Sequence, residues 1–154
     1  MDRTQPINAD VVAGSYFRSA GRLVINGAGG AGTNKLQETA AAGIAIGVTA
    51  DESSRDAAGG LEAADATVSY YPLGGVLLVQ TDAASTYDIG DTVYVGANGL
   101  ATSTVGSNKK LGIYVGDGAH AATALAAPLG GNTDSTGATE GALIRVATHG
   151  AAIA

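Results

Sequence analysis

The sequence predicts an all-β fold: a small β-barrel or β-sandwich with an extended N-terminal arm and a long Ala/Gly/Thr-rich loop. Three observations lead there. Short runs rich in β-branched residues recur between Gly, Asn and Asp at intervals of about 8–15 residues. Several runs alternate apolar and polar positions, the period of a strand with one buried face. Helical periodicity is scarce.

Residues 1–17 are polar overall, carry Pro6, and contain scattered apolar side chains. This pattern predicts an extended arm ahead of a single β domain over residues 18–154. Ile7, Val11, Val12, Tyr16 and Phe17 are its candidate partner-contact residues. Tyr and Phe pair a large apolar body with few rotatable bonds, which suits an anchor. Strands are expected at 22–26, 43–49, 66–71, 75–80, 91–95, 100–104, 110–115 and 142–148. Leu111, Ile113 and Val115 share one face, as do Val93 and Val95. Asn98-Gly99 lies between two of these runs. Both residue types tolerate positive φ, so a tight hairpin is predicted there.

Two short helices are expected, over 34–42 and over 53–64, the second interrupted by Gly59-Gly60. The stretch 117–141, rich in Ala, Gly, Thr, Asn and Ser, reads as a loop of functional length.

Composition narrows the function. Gly accounts for 24 of 154 residues, charged residues for 14%, and Trp and Cys are absent. Without cysteine there is no disulfide, zinc–thiolate site or thiol nucleophile. Much of the apolar content is Ala, so the core rests on a limited set of Val, Ile, Leu and Tyr. Such a core gains from assembly with copies of itself or with a partner. A net charge of −6 argues against nucleic acid, which demands clustered Lys and Arg. No apolar stretch approaches the ~20 residues of a membrane span, and no secretory signal is evident at the start, so a soluble protein is expected.

The chemical motifs are sparse. Gly27-Ala-Gly29-Gly30-Ala-Gly32 matches the glycine spacing of a dinucleotide loop, and Asp51 follows at about the distance of a ribose-binding acid. That chemistry needs a helix N-terminus facing the pyrophosphate and continuing βαβ alternation. The chain lacks the alternation, so a plain loop is the preferred reading. His120 and His149 have no nucleophile-elbow sequence to serve. The acids Asp82, Asp88 and Asp91, and Asp51, Glu52 and Asp56, do not follow calcium-loop spacing and read as solvated turns. No catalytic residue, cofactor or metal ligand is therefore assigned. The tyrosines (Tyr16, Tyr70, Tyr71, Tyr87, Tyr94, Tyr114) divide between core and interface roles.

Five segments carry a family resemblance: 43–51, 73–82, 87–101, 111–117 and 142–147. Together they resemble the small capsid decoration, or cement, proteins of tailed double-stranded-DNA viruses. The clearest portions are Tyr87-Asp-Ile-Gly-Asp-Thr-Val-Tyr-Val-Gly-Ala-Asn-Gly99 and Leu111-Gly-Ile-Tyr-Val115. The likeness spans roughly residues 40–148, in turn and strand patterns rather than catalytic signatures. The arm, the 27–32 glycines and the 117–141 stretch depart from the short family pattern. The resemblance implies a non-enzymatic, barrel-like domain, commonly trimeric, on the outer surface of an icosahedral head. Its partners would be the major capsid protein and copies of itself, with no nucleic acid and no membrane. The alternative expectation is a fibre, tail or cell-surface β module that displays residues 117–141 to a host ligand.

Overall fold

In the computed structural model the described residues are 5–13, 15, 17, 19–27, 35–39, 42–62, 66–82, 84–116, 120–121 and 142–148. They form an all-β protein with no helix among them. Barrel 1 closes five strands: β1 (Ile7–Val11), β2 (Leu23–Asn26), β3 (Lys35–Glu38), β4 (Gly47–Thr49) and β5 (Thr67–Pro72), in the order β1-β3-β2-β4-β5. Barrel 2 follows with β6 (Gly75–Thr81), β8 (Thr92–Val95), β9 (Ala101–Thr102), β10 (Lys110–Tyr114) and β12 (Ala142–Thr148), in the order β10-β12-β6-β9-β8. Strands β7 (Thr86–Tyr87) and β11 (His120–Ala121) pair separately. The 117–141 stretch otherwise lies outside the described residues.

The eight expected strands all occur, within a few residues of their predicted bounds. Three expectations are corrected. The extended arm is one. Over its described part it is β1, which pairs antiparallel with β5 from Ile7↔Tyr70 to Asp10↔Thr67 and parallel with β3. Val11 and Phe17 are fully buried with Val24, Leu36, Ala66 and Val68 in the core of barrel 1. Asn8 and Asp10 lie on the solvent face of β1, where alternation on a short segment imitates an unpacked arm. A boundary at residue 18 therefore falls inside barrel 1.

The predicted helix over 34–42 is instead strand β3, paired with β2 from Val24↔Glu38 to Asn26↔Leu36. Only Leu36 is buried on it. One apolar anchor fits either period, so the seam between β1 and β2 decided the outcome and propensity did not. The stretch expected as a broken helix at 53–64 is, where described, an irregular hairpin closed by an Arg55↔Leu61 bridge. Asp56 Oδ1 accepts the N–H groups of Ala58 (2.9 Å) and Gly60 (3.0 Å), which fixes its tip.

The Asn98-Gly99 hairpin forms as predicted. Both residues have positive φ, 56° and 69°, and Leu100 N–H closes the turn on Ala97 C=O at 3.1 Å. Ala97 and Asn98 are exposed, but Gly99 is buried and the turn's backbone reaches barrel 1. Leu23 N–H donates to Gly99 C=O (2.7 Å), and Gly99 N–H donates to Thr39 C=O (3.2 Å). Thr39 Oγ1 donates to Gly96 C=O at 2.9 Å, and Arg22 Nη1 to Asn98 C=O at 2.8 Å. The turn of barrel 2 is thus hydrogen-bonded into barrel 1.

Strand β2 is the shared wall. Leu23 and Val24 are adjacent and fully buried, but Val24 belongs to the core of barrel 1. Leu23 packs with Val79, Val93, Val95, Leu111, Ile144 and Val146 of barrel 2. Successive strand residues point to opposite faces, so this one strand seals both cores. Inside barrel 2, β10 runs so close to β12 that a side chain at Gly112 would collide with the Ala147 carbonyl.

Two stability predictions follow from this packing. Phe17→Ala should lower unfolding free energy by about 3–5 kcal/mol, as for other buried aromatic truncations. Chemical denaturation measures it, and a loss below about 1 kcal/mol would restore the arm. Gly99→Ala should cost about 1–2 kcal/mol from left-handed strain, read as a fall in melting temperature.

Candidate docking site

Among the described residues, several acidic groups sit in exposed turns. Asp91 Oδ2 accepts Asp88 N–H at 2.9 Å, and Asp51 Oδ1 accepts Glu52 N–H at 2.8 Å, both in exposed turns. Glu52 forms an exposed bidentate pair with Arg55, both contacts at 2.8 Å. Among the described residues no three acidic or histidine side chains converge as a metal site would require. His120 sits on β11, paired with Tyr87; His149 lies outside the described residues. The described ends of the glycine run, Asn26-Gly27 and Lys35, join two antiparallel strands. The helix that a dinucleotide loop must feed is replaced by β3.

One ionisation is clearly displaced, at Tyr87. Burial raises its pKa above the usual 10. Thr81 Oγ1 donates to Ala101 C=O at 3.0 Å, so the Tyr87 hydroxyl is the donor to Thr81 Oγ1 at 2.9 Å. The ring lies 5.5 Å from that of Tyr114 in the core of barrel 2. Tyr87 is therefore a core residue with a satisfied hydroxyl.

What the fold does build is an apolar cleft where the barrels meet. The chain leaves barrel 1 at Pro72 and enters barrel 2 at Gly75, with positive φ at both Gly74 (139°) and Gly75 (75°). Thr148 Oγ1 holds this crossing, accepting Gly74 N–H at 2.9 Å and donating to Gly75 C=O at 3.0 Å. At the other end Gln80 ties barrel 1 onto the outer face of β6. Its Nε2 donates to Ser19 Oγ and Ala20 C=O, both at 2.7 Å, and its N–H donates to Gly21 C=O at 2.8 Å. Gly21 sits so close that a Cβ there would come within 2.8 Å of Leu143.

Between these two fastenings lies a cleft of about 500 Å³. Val48, Ala50 and Tyr71 form one wall; Val76, Leu78 and Leu143 form the other. None of its lining residues is Asp, Glu, Lys, Arg or His. Val76, Leu78 and Leu143 are 59%, 53% and 47% exposed, large values for adjacent aliphatic side chains on paired strands. Clustered exposed apolar residues mark contact surfaces, whereas isolated ones are ordinary.

The five expected contact residues do not come together here. Ile7 is half-exposed on β1, Val12 is half-buried beside Gly27, and Val11 and Phe17 are core. Tyr16 lies outside the described residues. The residues of the cleft carried one sequence signal: Val76-Leu-Leu-Val79 is continuously apolar where a half-buried strand would alternate. That run also fits a strand buried on both faces, so it did not locate the surface.

No protein-family model matches the chain, and comparisons with curated proteins and with solved structures yield no match either.

Tyr87 gives a prediction with a definite sign. A phenol whose folded pKa exceeds its unfolded pKa near 10 favours folding fully below about pH 10. That contribution is lost as pH rises through the folded value. Melting temperature should therefore decline above about pH 10, and Tyr87→Phe should flatten the decline while losing about 1 kcal/mol at neutral pH.

Proposed function

We propose that this chain is a structural protein of a tailed-virus particle. It binds the outside of an icosahedral head and clamps neighbouring major capsid subunits. The observation that carries the reading is the uncharged apolar cleft beside the barrel junction, a surface suited to protein and offering no group for catalysis. The strand-and-turn resemblance to capsid decoration proteins supports the same function. So does the acidic balance of the chain, which disfavours the nucleic acid inside the shell.

The two-barrel body suits a clamp because its halves share β2 and so transmit load without a flexible linker. One shallow cleft gives modest affinity. On a shell the same contact repeats at many copies, and self-association would multiply it further through effective concentration. A homotrimer is the expected state, to be measured by light scattering.

The direct test mixes the purified protein with expanded, undecorated heads. Saturable binding and a raised disruption temperature are expected. Val76→Lys combined with Leu78→Lys should weaken binding by about tenfold or more without lowering the melting temperature of the unbound protein. Heads that stay bare at every concentration of the unsubstituted protein would end this reading.

A further inference from the structure

Among the described residues, barrel 2 closes through β9 but leaves most of that edge of β6 unpaired. Strand β6 pairs with β12 over its whole length, from Gly75↔Thr148 to Thr81↔Ala142, but with β9 only at Thr81↔Ala101. Along an antiparallel strand, successive residues direct their N–H and C=O groups to opposite neighbours. Gln80 N–H donates to Gly21 C=O, away from β12, so the main-chain groups of Leu78 and Val76 point the same way. Opposite Leu78, the Arg145 carbonyl accepts Val115 N–H at 3.0 Å on the far side of β12, in the same alternation. Among the described residues no strand lies along this edge from Gly75 to Val79. Two N–H and two C=O groups therefore border the apolar cleft, spaced two residues apart.

We infer that this edge is a slot that accepts one extended peptide strand from a neighbouring protein subunit, uncharged where it lies in the cleft. The inference rests on the proposed role in docking to a protein shell and specifies how one contact is made. Donors and acceptors alternating along a strand are matched by another peptide backbone, the basis of recognition by strand addition. Gly21 already occupies the first place on this edge, opposite Gln80, and an incoming strand continues its hydrogen bonding toward Leu78 and Val76.

Charge sets the occupant's composition. A Lys or Glu side chain directed into a lining without charged groups would lose hydration with no opposite charge in the lining to replace it. Area sets its context. The open edge, about five residues, spans about 17 Å. Such a contact falls well below the ~1,000 Å² of a self-sufficient interface, so its strand belongs to a body held by other contacts as well. A second copy of this chain fits poorly, because its own β6 edge is flanked by its own Val48 and Tyr71 wall.

The test uses the full chain and an acetylated, amidated heptapeptide of alternating Thr and Val. Saturable binding is expected, with amide exchange at Val76 and Leu78 slowed by about tenfold or more. Exchange at Leu77 and Val79, whose N–H groups face β12, should not change. Leu78→Pro removes an outward N–H but no bond to β12, and should abolish peptide binding; Ile89→Lys, at an exposed site outside the cleft, should not. If the proline variant does not fold, Val76→Glu replaces it with the same expectation. Binding without protection at Val76 and Leu78, or none up to about 1 mM peptide, overturns the slot. So does protection that grows with protein concentration in the absence of peptide, which would make a second copy the occupant. Head binding that persists in the Leu78→Pro variant removes the slot and leaves the docking function. Peptide binding by a protein that ignores heads does the reverse.

Discussion

The structure depends on a single strand facing two cores. In β2, Leu23 and Val24 cannot both be buried unless protein lies on each side, and the two barrels supply those sides. The Asn98-Gly99 turn then has to arrive with its carbonyls aimed at Arg22 and Leu23, which only a turn with two left-handed residues achieves here. Arg22 is itself fully buried. A buried guanidinium is tolerated only with hydrogen-bond partners, so its bond to Asn98 also fastens the turn of barrel 2 to barrel 1. Shape, and with it the cleft, follows from this seam.

Seen from that seam, the sparse aromatic content of the chain is less of a handicap. Each barrel is small, and a limited set of Val and Leu residues fills both because one wall serves twice. Sharing β2 reduces the surface that two separate five-stranded barrels would leave in water. The same economy forces the outer faces of β6 and β12 to stand beside barrel 1 without being fully covered by it.

Much of the fold was legible in the sequence. Eight strands announced themselves through β-branched runs, and Asn98-Gly99 through its tolerance of positive φ. The N-terminal strand was not legible, because Ile7-Asn-Ala-Asp-Val11 carries only two large apolar residues and its stability comes from β5, some sixty positions later. Strand β3 was hidden for a related reason: Leu36 alone faces inward, and Lys35, Gln37 and Glu38 are good helix formers. Of the docking surface, Val76 and Leu78 were visible as apolar residues. Which face they occupy depends on how β12 and barrel 1 sit around β6, and that is tertiary information. The expected anchors Val11 and Phe17 erred in the same way, since an apolar residue beside polar ones looks adhesive until its partners are known.

The order of strands in barrel 2 carries a consequence for biogenesis. The strands of barrel 1 are all present once the ribosome has delivered Pro72, whereas β12, which joins β6 to β10 in barrel 2, is encoded some sixty residues after β6. Until it emerges, the facing edges of β6 and β10 have no partner. The nascent chain thus carries, up to that point, one half with all its strands and one half without, an interval in which mispairing and aggregation are favoured.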